Sequence, residues 1–253
     1  MKLKFYDSLE STNTFLKDNS GAVDPMTLVA ARAQTSGRGQ RGNSWESEPG
    51  MNLTCSFYFH PQGILPSEQF AISEAIALAA TDTLGFYGIE AKVKWPNDIY
   101  CRDSKICGIL IEHSVSTGRI ERTIAGIGLN INQRIFLSDA PNPVSMAQLQ
   151  GDRDFSVEEV ASCLGDAIEE RLAAISSAEG RDSLHRDYMT VLWRGDNGIW
   201  PFRLAATGEE FRASIHDILP SGHLILCRHD SGNSGESVSQ LPPIAFKEVE
   251  FIL

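Results

Sequence analysis

The sequence predicts an α+β protein, with a mixed, largely antiparallel sheet carrying packed helices, followed by a small all-β unit. Short segments of strand character alternate with a long apolar segment at 66–86 and with a segment at 156–176 whose apolar residues recur at helical spacing. Short turns join neighbouring strand segments, and this favours antiparallel pairing because parallel pairing needs a long crossover. Beyond Gly195 only short strand segments remain. We therefore predict a domain over residues 1–197 and a small barrel-like β domain over 198–253.

Strand and helix signals alternate in the first third of the chain. Ser11-Thr12-Asn13 offers an N-cap for a helix that runs to about Asp18. A long apolar helix should open at Pro66-Ser67 and end near Phe86. Alternating or β-branched segments predict strands at 2–6, 27–33 and 51–59.

The remaining two thirds begin with strands and end with strands. Strands are predicted at about 89–95, 105–115 and 119–131, with turns at 96–98, 102–104 and 117–118. Ser156 should cap an amphipathic helix to about 176, and a further helix should cover about 181–192. The predicted C-terminal strands are 200–206, 210–218, 222–228 and 247–252.

Composition restricts the class of protein. A net charge of −11 and a pI near 5.0 disfavour nucleic acid as a partner, because an acidic surface repels phosphates. No signal peptide or membrane span is expected. Five cysteines without a C-x-x-C pair favour free thiols in a reducing compartment, so we expect a cytoplasmic protein. The histidines form no H-E-x-x-H motif, and a zinc site built by the protein is not expected.

The densest motif is Q-T-S-G-R-G-Q-R-G-N-S-W over residues 34–45. Its glycines satisfy G-x-G-x-x-G, but a dinucleotide site needs a helix directly afterwards, and a strand segment follows instead. Nor is there a P-loop sequence. Arg38 and Arg41 carry planar donor groups suited to carboxylates and phosphates, and the glycines allow close backbone approach. A solvated loop with ordinary surface arginines is the alternative.

Three later segments combine charged or small residues with apolar strands. Lys94-Trp95-Pro96-Asn97-Asp98 is a turn at a strand end, and Lys105 opens an otherwise apolar strand that contains Gly108. The strand at 125–132 contains two glycines and two asparagines, which leaves room for a ligand. The alternatives are an exposed turn, a lysine that reaches solvent, and a bulged strand without a ligand.

Taken in order, these segments resemble the biotin–protein ligase family. The resemblance is carried by S-T-N at 11–13, Q-T-x-G-R-G-x-x-G at 34–42 with Trp45 nearby, K-W-P-N-D at 94–98, K-x-x-G-I-L-x-E at 105–112 and G-x-G-x-N at 126–130. It implies a class II synthetase-like catalytic domain and an SH3-like C-terminal barrel. Since S-T-N begins at residue 11, we expect a short form without the N-terminal DNA-binding domain of some members.

The resemblance also implies an activity. Biotin would be activated with ATP to biotinyl-5'-AMP and then passed to a lysine of a biotin carboxyl carrier protein domain. Lys105 and Arg38 would be catalytic. The implied biotin-binding residues are Ser11, Thr12, Asn13, Gln34, Arg38, Gly39, Gln40, Lys105 and Gly108. The implied ATP- or AMP-binding residues are Arg38, Arg41, Trp45, Lys94, Asn97, Asp98 and Asn130.

Magnesium would arrive with the ATP phosphates near Asp98, without a site built by the protein alone. A monomer and a homodimer both remain open. The chain departs from many family members at two loop positions, where it has Gln40 and Asn43 in place of arginines. Gln40 brings no charge, so gripping a carboxylate falls to Arg41, or to Arg38 and Lys105.

Three rival functions are compatible with parts of the pattern. A lipoate or octanoate ligase of a related fold would lack the K-W-P-N-D block. A biotin-sensing DNA-binding repressor would need a DNA-binding domain and a less acidic chain. A non-catalytic biotin-binding module would bind biotin without ATP.

Overall fold

Two β-sheets and five α-helices make up the part of the chain that the computed structural model describes, residues 1–137, 142–232 and 235–252. The helices are α1 (Thr12–Asp18), α2 (Phe70–Phe86), α3 (Met146–Leu149), α4 (Val157–Ala174) and α5 (Ala178–Thr190). The strands are β1 (Lys2–Leu9), β2 (Thr27–Gln34), β3 (Leu53–Phe59), β4 (Lys92–Lys94), β5 (Asp98–Cys101), β6 (Ser104–Ser116), β7 (Arg119–Leu129), β8 (Trp200–Leu204), β9 (Glu210–Ile218), β10 (Leu224–Gly232), β11 (Gly235–Gln240) and β12 (Val249–Phe251).

The first sheet contains β1 to β7 in the order β1-β2-β3-β7-β6-β5-β4. Its β1 and β2 are parallel, because α1 carries the chain back between them, and its other neighbours are antiparallel. The second sheet is antiparallel, in the order β11-β10-β9-β8-β12. The predicted mixed, largely antiparallel sheet is therefore confirmed, and five strands form the separate C-terminal sheet.

Several predicted boundaries are wrong in detail. The strand expected over 89–95 is only Lys92–Lys94, and the turn expected at 96–98 ends earlier, because Asp98 opens β5. Strand β5 was missed because it has four residues and is stabilised by β4 and β6 rather than by its own pattern. Strand β11 and the short α3 were missed as well. Helix α5 begins before 181, since Ser177 accepts a hydrogen bond from the Gly180 N–H and caps it.

Helix α2 lies at the centre of the fold. It packs against α4, α5 and strands β4 to β6, and almost its whole circumference is buried. This explains a sequence that is apolar all round rather than on one stripe. Within the described residues, no helix is both long and apolar enough to cross a membrane.

The C-terminal sheet is tied to the first sheet through the turn at 219–223. The Trp95 indole N–H donates to the Gly222 carbonyl at 3.0 Å, and the Phe70 backbone N–H donates to the Pro220 carbonyl at 3.1 Å. The Phe246 ring lies 6.1 Å from the Trp95 ring. The turn that follows β4 is therefore held in place by contacts of Trp95 with Gly222 and Phe246.

A charged network forms a second tie between the sheets. His185 on α5 bonds the Glu74 carboxylate of α2 at 2.7 Å and the Asp217 carboxylate of β9 at 2.9 Å. Hydrogen bonding to Glu74 raises the pKa of His185 to about 9, although burial opposes the shift. Burial raises the pKa of Glu74, which is 4% exposed. At neutral pH His185 is therefore a cation, held by hydrogen bonds to Glu74 and Asp217.

Candidate functional site

Two adjoining clefts open where β6 and β7 meet the loop between β2 and β3. The inner cleft, of about 500 Å³, extends from the start of α1 to Lys105. The outer cleft, of about 1530 Å³, extends from Lys105 past Asn130 to Phe246. Both clefts are lined by Gly39, Gln40, Trp45, Asn97, Asp98 and Lys105.

The floor of the inner cleft is backbone. Gly108 of β6 and Gly128 of β7 are paired across the sheet, and the Trp45 indole lies on them. A Cβ atom at Gly128 would stand 2.3 Å from Trp45 Cε2, and one at Gly108 would stand 2.8 Å from Cζ3. Both contacts are closer than side chains tolerate, so glycine is required at each position for this ring to lie flat on the sheet.

A chain of hydrogen bonds stands behind one end of the inner cleft, where Ser11, Asn13 and Gln34 line it. The Gln34 side-chain oxygen accepts from the Thr12 backbone N–H at 2.8 Å. The Ser56 hydroxyl donates to the Asn13 side-chain oxygen at 2.5 Å and lies 2.6 Å from the Thr12 hydroxyl. Thr12, Asn13 and Ser56 are all buried. Polar groups fixed in this way form a preorganised surface for a neutral polar ligand.

Asn13 reaches across the sheet because β7 has a glycine opposite it. A Cβ atom at Gly126 would stand 2.3 Å from the Asn13 side-chain oxygen. The Asn13 amide N–H donates to the Glu112 carboxylate at 2.8 Å. The same carboxylate binds the Arg38 guanidinium, with contacts of 3.1 and 3.4 Å to two nitrogens. Glu112 thus joins the start of α1 to the arginine of the loop.

Lys105 stands where the two clefts join. Its ammonium is 2.7 Å from the Asp98 carboxylate and 5.7 Å from the centre of the Trp45 ring. The Asn97 amide N–H donates to the Ile109 carbonyl at 2.8 Å, and this bond fixes the turn that carries Asp98. The side chains of Lys105 and Asp98 are 22% and 24% exposed, so both charges can meet a ligand.

Two buried polar atoms at the outer cleft have no hydrogen-bond partner among the described residues. They are the Trp45 indole nitrogen and the Asn130 side-chain oxygen. The Asn130 amide N–H donates to the Val144 carbonyl at 3.1 Å, which fixes the direction of that oxygen. Buried atoms of this kind are costly unless a ligand or water satisfies them.

The predicted site residues do not all converge. Lys94 lines neither cleft, and its ammonium lies 3.1 Å from the Tyr100 hydroxyl and 4.6 Å from the centre of the Tyr100 ring. Trp193 and Phe251 complete this aromatic surrounding, and burial lowers the pKa of Lys94. The side chain of Arg41 lies outside the described part of the structure.

The structure brings to the site two residues to which the sequence assigned no role. Glu112 ends the K-x-x-G-I-L-x-E segment, and its charge in an apolar strand was a usable signal. Ser56 gave no signal beyond its place in an alternating strand. Cys55 also lines the inner cleft, but burial raises the pKa of its thiol well above the ordinary range, so it stays protonated. A thiolate nucleophile at Cys55 is therefore disfavoured.

Comparisons with known proteins show which family this sequence is similar to. The model of the biotin/lipoate A/B protein ligase family matches residues 5–130. The bifunctional ligase/repressor BirA of Salmonella typhimurium is 35% identical over 136 residues, which are 53% of this chain and 42% of that protein. The biotin--[acetyl-CoA-carboxylase] ligase of Paracoccus denitrificans is 36% identical over 126 residues, or 48% of this chain and 51% of that protein. The chain thus spans about half the length of these curated relatives.

A solved structure extends the likeness beyond the family match. The biotin protein ligase from Aquifex aeolicus in complex with biotin and ATP aligns with a TM-score of 0.74 over 98% of this chain and 97% of that chain. The sequence identity is 21%, so this likeness concerns the fold alone. It confirms the predicted fold class, including the small C-terminal sheet.

Proposed function

The chain belongs to the biotin/lipoate A/B protein ligase family, and from this premise we propose that it is an ATP-dependent biotin–[acetyl-CoA-carboxylase] ligase. In the first step a biotin carboxylate oxygen attacks the α-phosphorus of ATP, and pyrophosphate leaves. In the second step the biotinyl group of biotinyl-5'-AMP passes to a lysine of a biotin carboxyl carrier protein domain. We expect the reaction to occur in the cytoplasm.

The observation that supports this proposal is that two cations line the same inner cleft. Arg38 lines the inner cleft, and Lys105 lines both clefts. A reaction between a carboxylate and a phosphate brings two anions together, and negative charge grows on the phosphoryl oxygens. Cations fixed at that point lower the barrier, because they stabilise the transition state more than separated substrates.

The polar end of the inner cleft suits the ureido ring of biotin, which has two N–H donors and one carbonyl. We assign this ring to Ser11, Thr12, Asn13 and Gln34, with Gly39, Gln40 and Gly108 along the rest of the ligand. The ordered bonds from Thr12 to Gln34 and from Ser56 to Asn13 support the assignment, since a neutral ring gains affinity from partners that need no rearrangement.

We assign the nucleotide to the outer cleft. Trp45 offers an aromatic face for adenine, and Asn130 offers the buried oxygen that lacks a partner among the described residues. Asn97 and Asp98 line the same cleft. Arg41 and Lys94 stay in the proposal only as residues implied by family resemblance. For Lys94 a nucleotide contact would require leaving its aromatic surroundings.

Magnesium fits this arrangement as a companion of ATP. The Asp98 carboxylate lines both clefts, and Mg²⁺ prefers carboxylate, phosphate and water oxygens. When bound, the ion would neutralise phosphate charge. Asp98 would then be shared between the ion and Lys105, with its carboxylate keeping the ammonium directed at the junction.

The transfer step needs no nucleophile from the chain. A neutral lysine amine of the carrier domain attacks the acyl carbon, a C–N bond forms, the C–O bond to AMP breaks, and the amine proton leaves. The chain's task is to hold the mixed anhydride away from water until the amine arrives. A monomer or a homodimer is equally compatible with this scheme.

The first test is biotin-dependent exchange between ATP and pyrophosphate. Lys105→Ala should reduce the exchange rate by more than about 100-fold, the scale of losing one strong electrostatic group. Lys17→Ala, at an exposed position of α1, is the matched control and should behave as wild type. Near-normal exchange by Lys105→Ala would remove this lysine from the mechanism. Faster exchange with lipoate than with biotin would refute the assigned substrate.

A further inference from the structure

Glu112 binds the same arginine that the substrate carboxylate would need. Its two oxygens face two nitrogens of Arg38, at 3.1 and 3.4 Å. This planar, paired geometry is also the one in which a guanidinium binds a ligand carboxylate. Glu112 is not among the residues that line the inner cleft, whereas Arg38 is. The carboxylate therefore stands beside the ligand space, not inside it.

Glu112 is also held independently of Arg38. Its carboxylate accepts the Asn13 amide N–H at 2.8 Å, and Asn13 is buried and bound in turn by Ser56. Arg38, by contrast, lies on the loop between β2 and β3, and its side chain is 44% exposed, against 28% for Glu112. Of the two partners, the arginine is the one free to turn toward a ligand while the carboxylate stays in place.

We propose that Glu112 is a positioning residue that acts as a resident competitor for the substrate carboxylate. In the ligand-free site it holds Arg38 beside the cleft. An incoming carboxylate replaces Glu112 at one or both of the guanidinium nitrogens. Breaking the Arg38–Glu112 pair costs free energy, and this cost weakens the binding of anionic ligands. Neutral ligands that bind the same pocket leave the pair intact. This inference rests on the proposed function, because it takes biotin as the ligand.

The size of the effect follows from the exposure of the pair. Ion pairs at this level of exposure contribute about two- to fivefold to an equilibrium constant. Glu112→Gln removes the charge but keeps an oxygen that can accept the Asn13 amide N–H. The variant should therefore bind biotin about two- to fivefold more tightly, while its affinity for biotinol, the neutral alcohol analogue, stays unchanged.

Isothermal titration calorimetry with biotin and with biotinol tests the inference, and the readout is the ratio of the two Kd values. Glu121→Gln, at an exposed position of β7, is the matched control and should leave the ratio unchanged. A role limited to structure would change both affinities by the same factor, and this outcome overturns the inference. Selective loss of biotin affinity also overturns it, because Glu112 would then be holding Arg38 in its productive position.

Two further measurements keep the test decisive. If the glutamine variant does not fold, Glu112→Asp is used in its place. It retains the charge but withdraws it by one methylene, so it should shift the ratio in the same direction by a smaller factor. In an Arg38→Gln background, Glu112→Gln should no longer change the ratio, and a persisting change contradicts the proposed exchange. If the wild-type chain binds neither compound, the proposed function fails, separately from the inference about Glu112.

Discussion

Replacing His185 should remove a pH-dependent part of the stability. The imidazole bonds Glu74 and Asp217 and has a pKa of about 9, against an ordinary value of 6.5. At about 1.36 kcal/mol per pKa unit, the difference corresponds to at most about 3.4 kcal/mol. The His185 side chain is 31% exposed and that of Asp217 is 46% exposed, so solvent screening lowers the expected value to about 1–2 kcal/mol.

The sign follows from the direction of the shift. A raised pKa means that the folded state binds the proton more tightly, so the contribution is complete below about pH 6.5 and disappears as the pH rises through about 9. His185→Gln should therefore be less stable than wild type by about 1–2 kcal/mol at pH 7, and this deficit should shrink toward about pH 10.

Urea unfolding at a series of pH values measures this difference. His216→Gln, at an exposed position of the same strand as Asp217, is the control for changing a histidine and should show no such trend. A deficit for His185→Gln that is constant across the range, or that grows with pH, would refute the reasoning.

Two other predictions concern packing around the site. Gly128→Ala should lower the free energy of unfolding by about 1–3 kcal/mol, because the new methyl group would stand 2.3 Å from the Trp45 ring. In a Trp45→Ala background the same change should leave the free energy of unfolding nearly unchanged. Gly85→Ala is the control, because a Cβ atom there meets open space and should not lower stability. An equal loss of stability from Gly128→Ala in both backgrounds would contradict the contact with Trp45. Trp95→Phe removes the donor to the Gly222 carbonyl and should cost about 0.5–1.5 kcal/mol in urea unfolding. The Trp200 indole N–H donates to exposed Asp196 at 3.1 Å, so Trp200→Phe should lower the free energy of unfolding less than Trp95→Phe does. A larger loss for Trp200→Phe would show that the bond to the C-terminal turn is unimportant.

The sequence was informative where local pattern and final structure agree. Helix α2 was predicted from its apolar length, and the cap of α4 was predicted from Ser156, which does accept the Glu159 N–H at 3.2 Å. Strand β5 could not be predicted, since four residues are too few for a period and their pairing partners lie on both sides. The strand conformation of this segment is determined by its pairing with β4 and β6 and not by the local preference of its residues.

The site was predictable as a set of segments but not as a set of contacts. Short motifs predicted that Gln34, Arg38 and Lys105 share one region, and all three line the inner cleft. The pairing of Arg38 with Glu112 joins residues 74 positions apart, and it depends on how the loop folds over the sheet. The direction of Lys94 depends on Tyr100 and on Phe251 of the C-terminal sheet, which no local pattern could reveal.

A floor made of main chain has an evolutionary consequence. Where Gly108 faces Gly128, there is no side chain that substitution could lengthen, shorten or recharge without pushing Trp45 off the sheet. The width of the inner cleft at this point is thus set by the spacing of the strands, a quantity that point mutations hardly alter. Changes in ligand preference would have to come from the loop between β2 and β3 and from the two ends of the inner cleft, because its middle has no side chain to exchange.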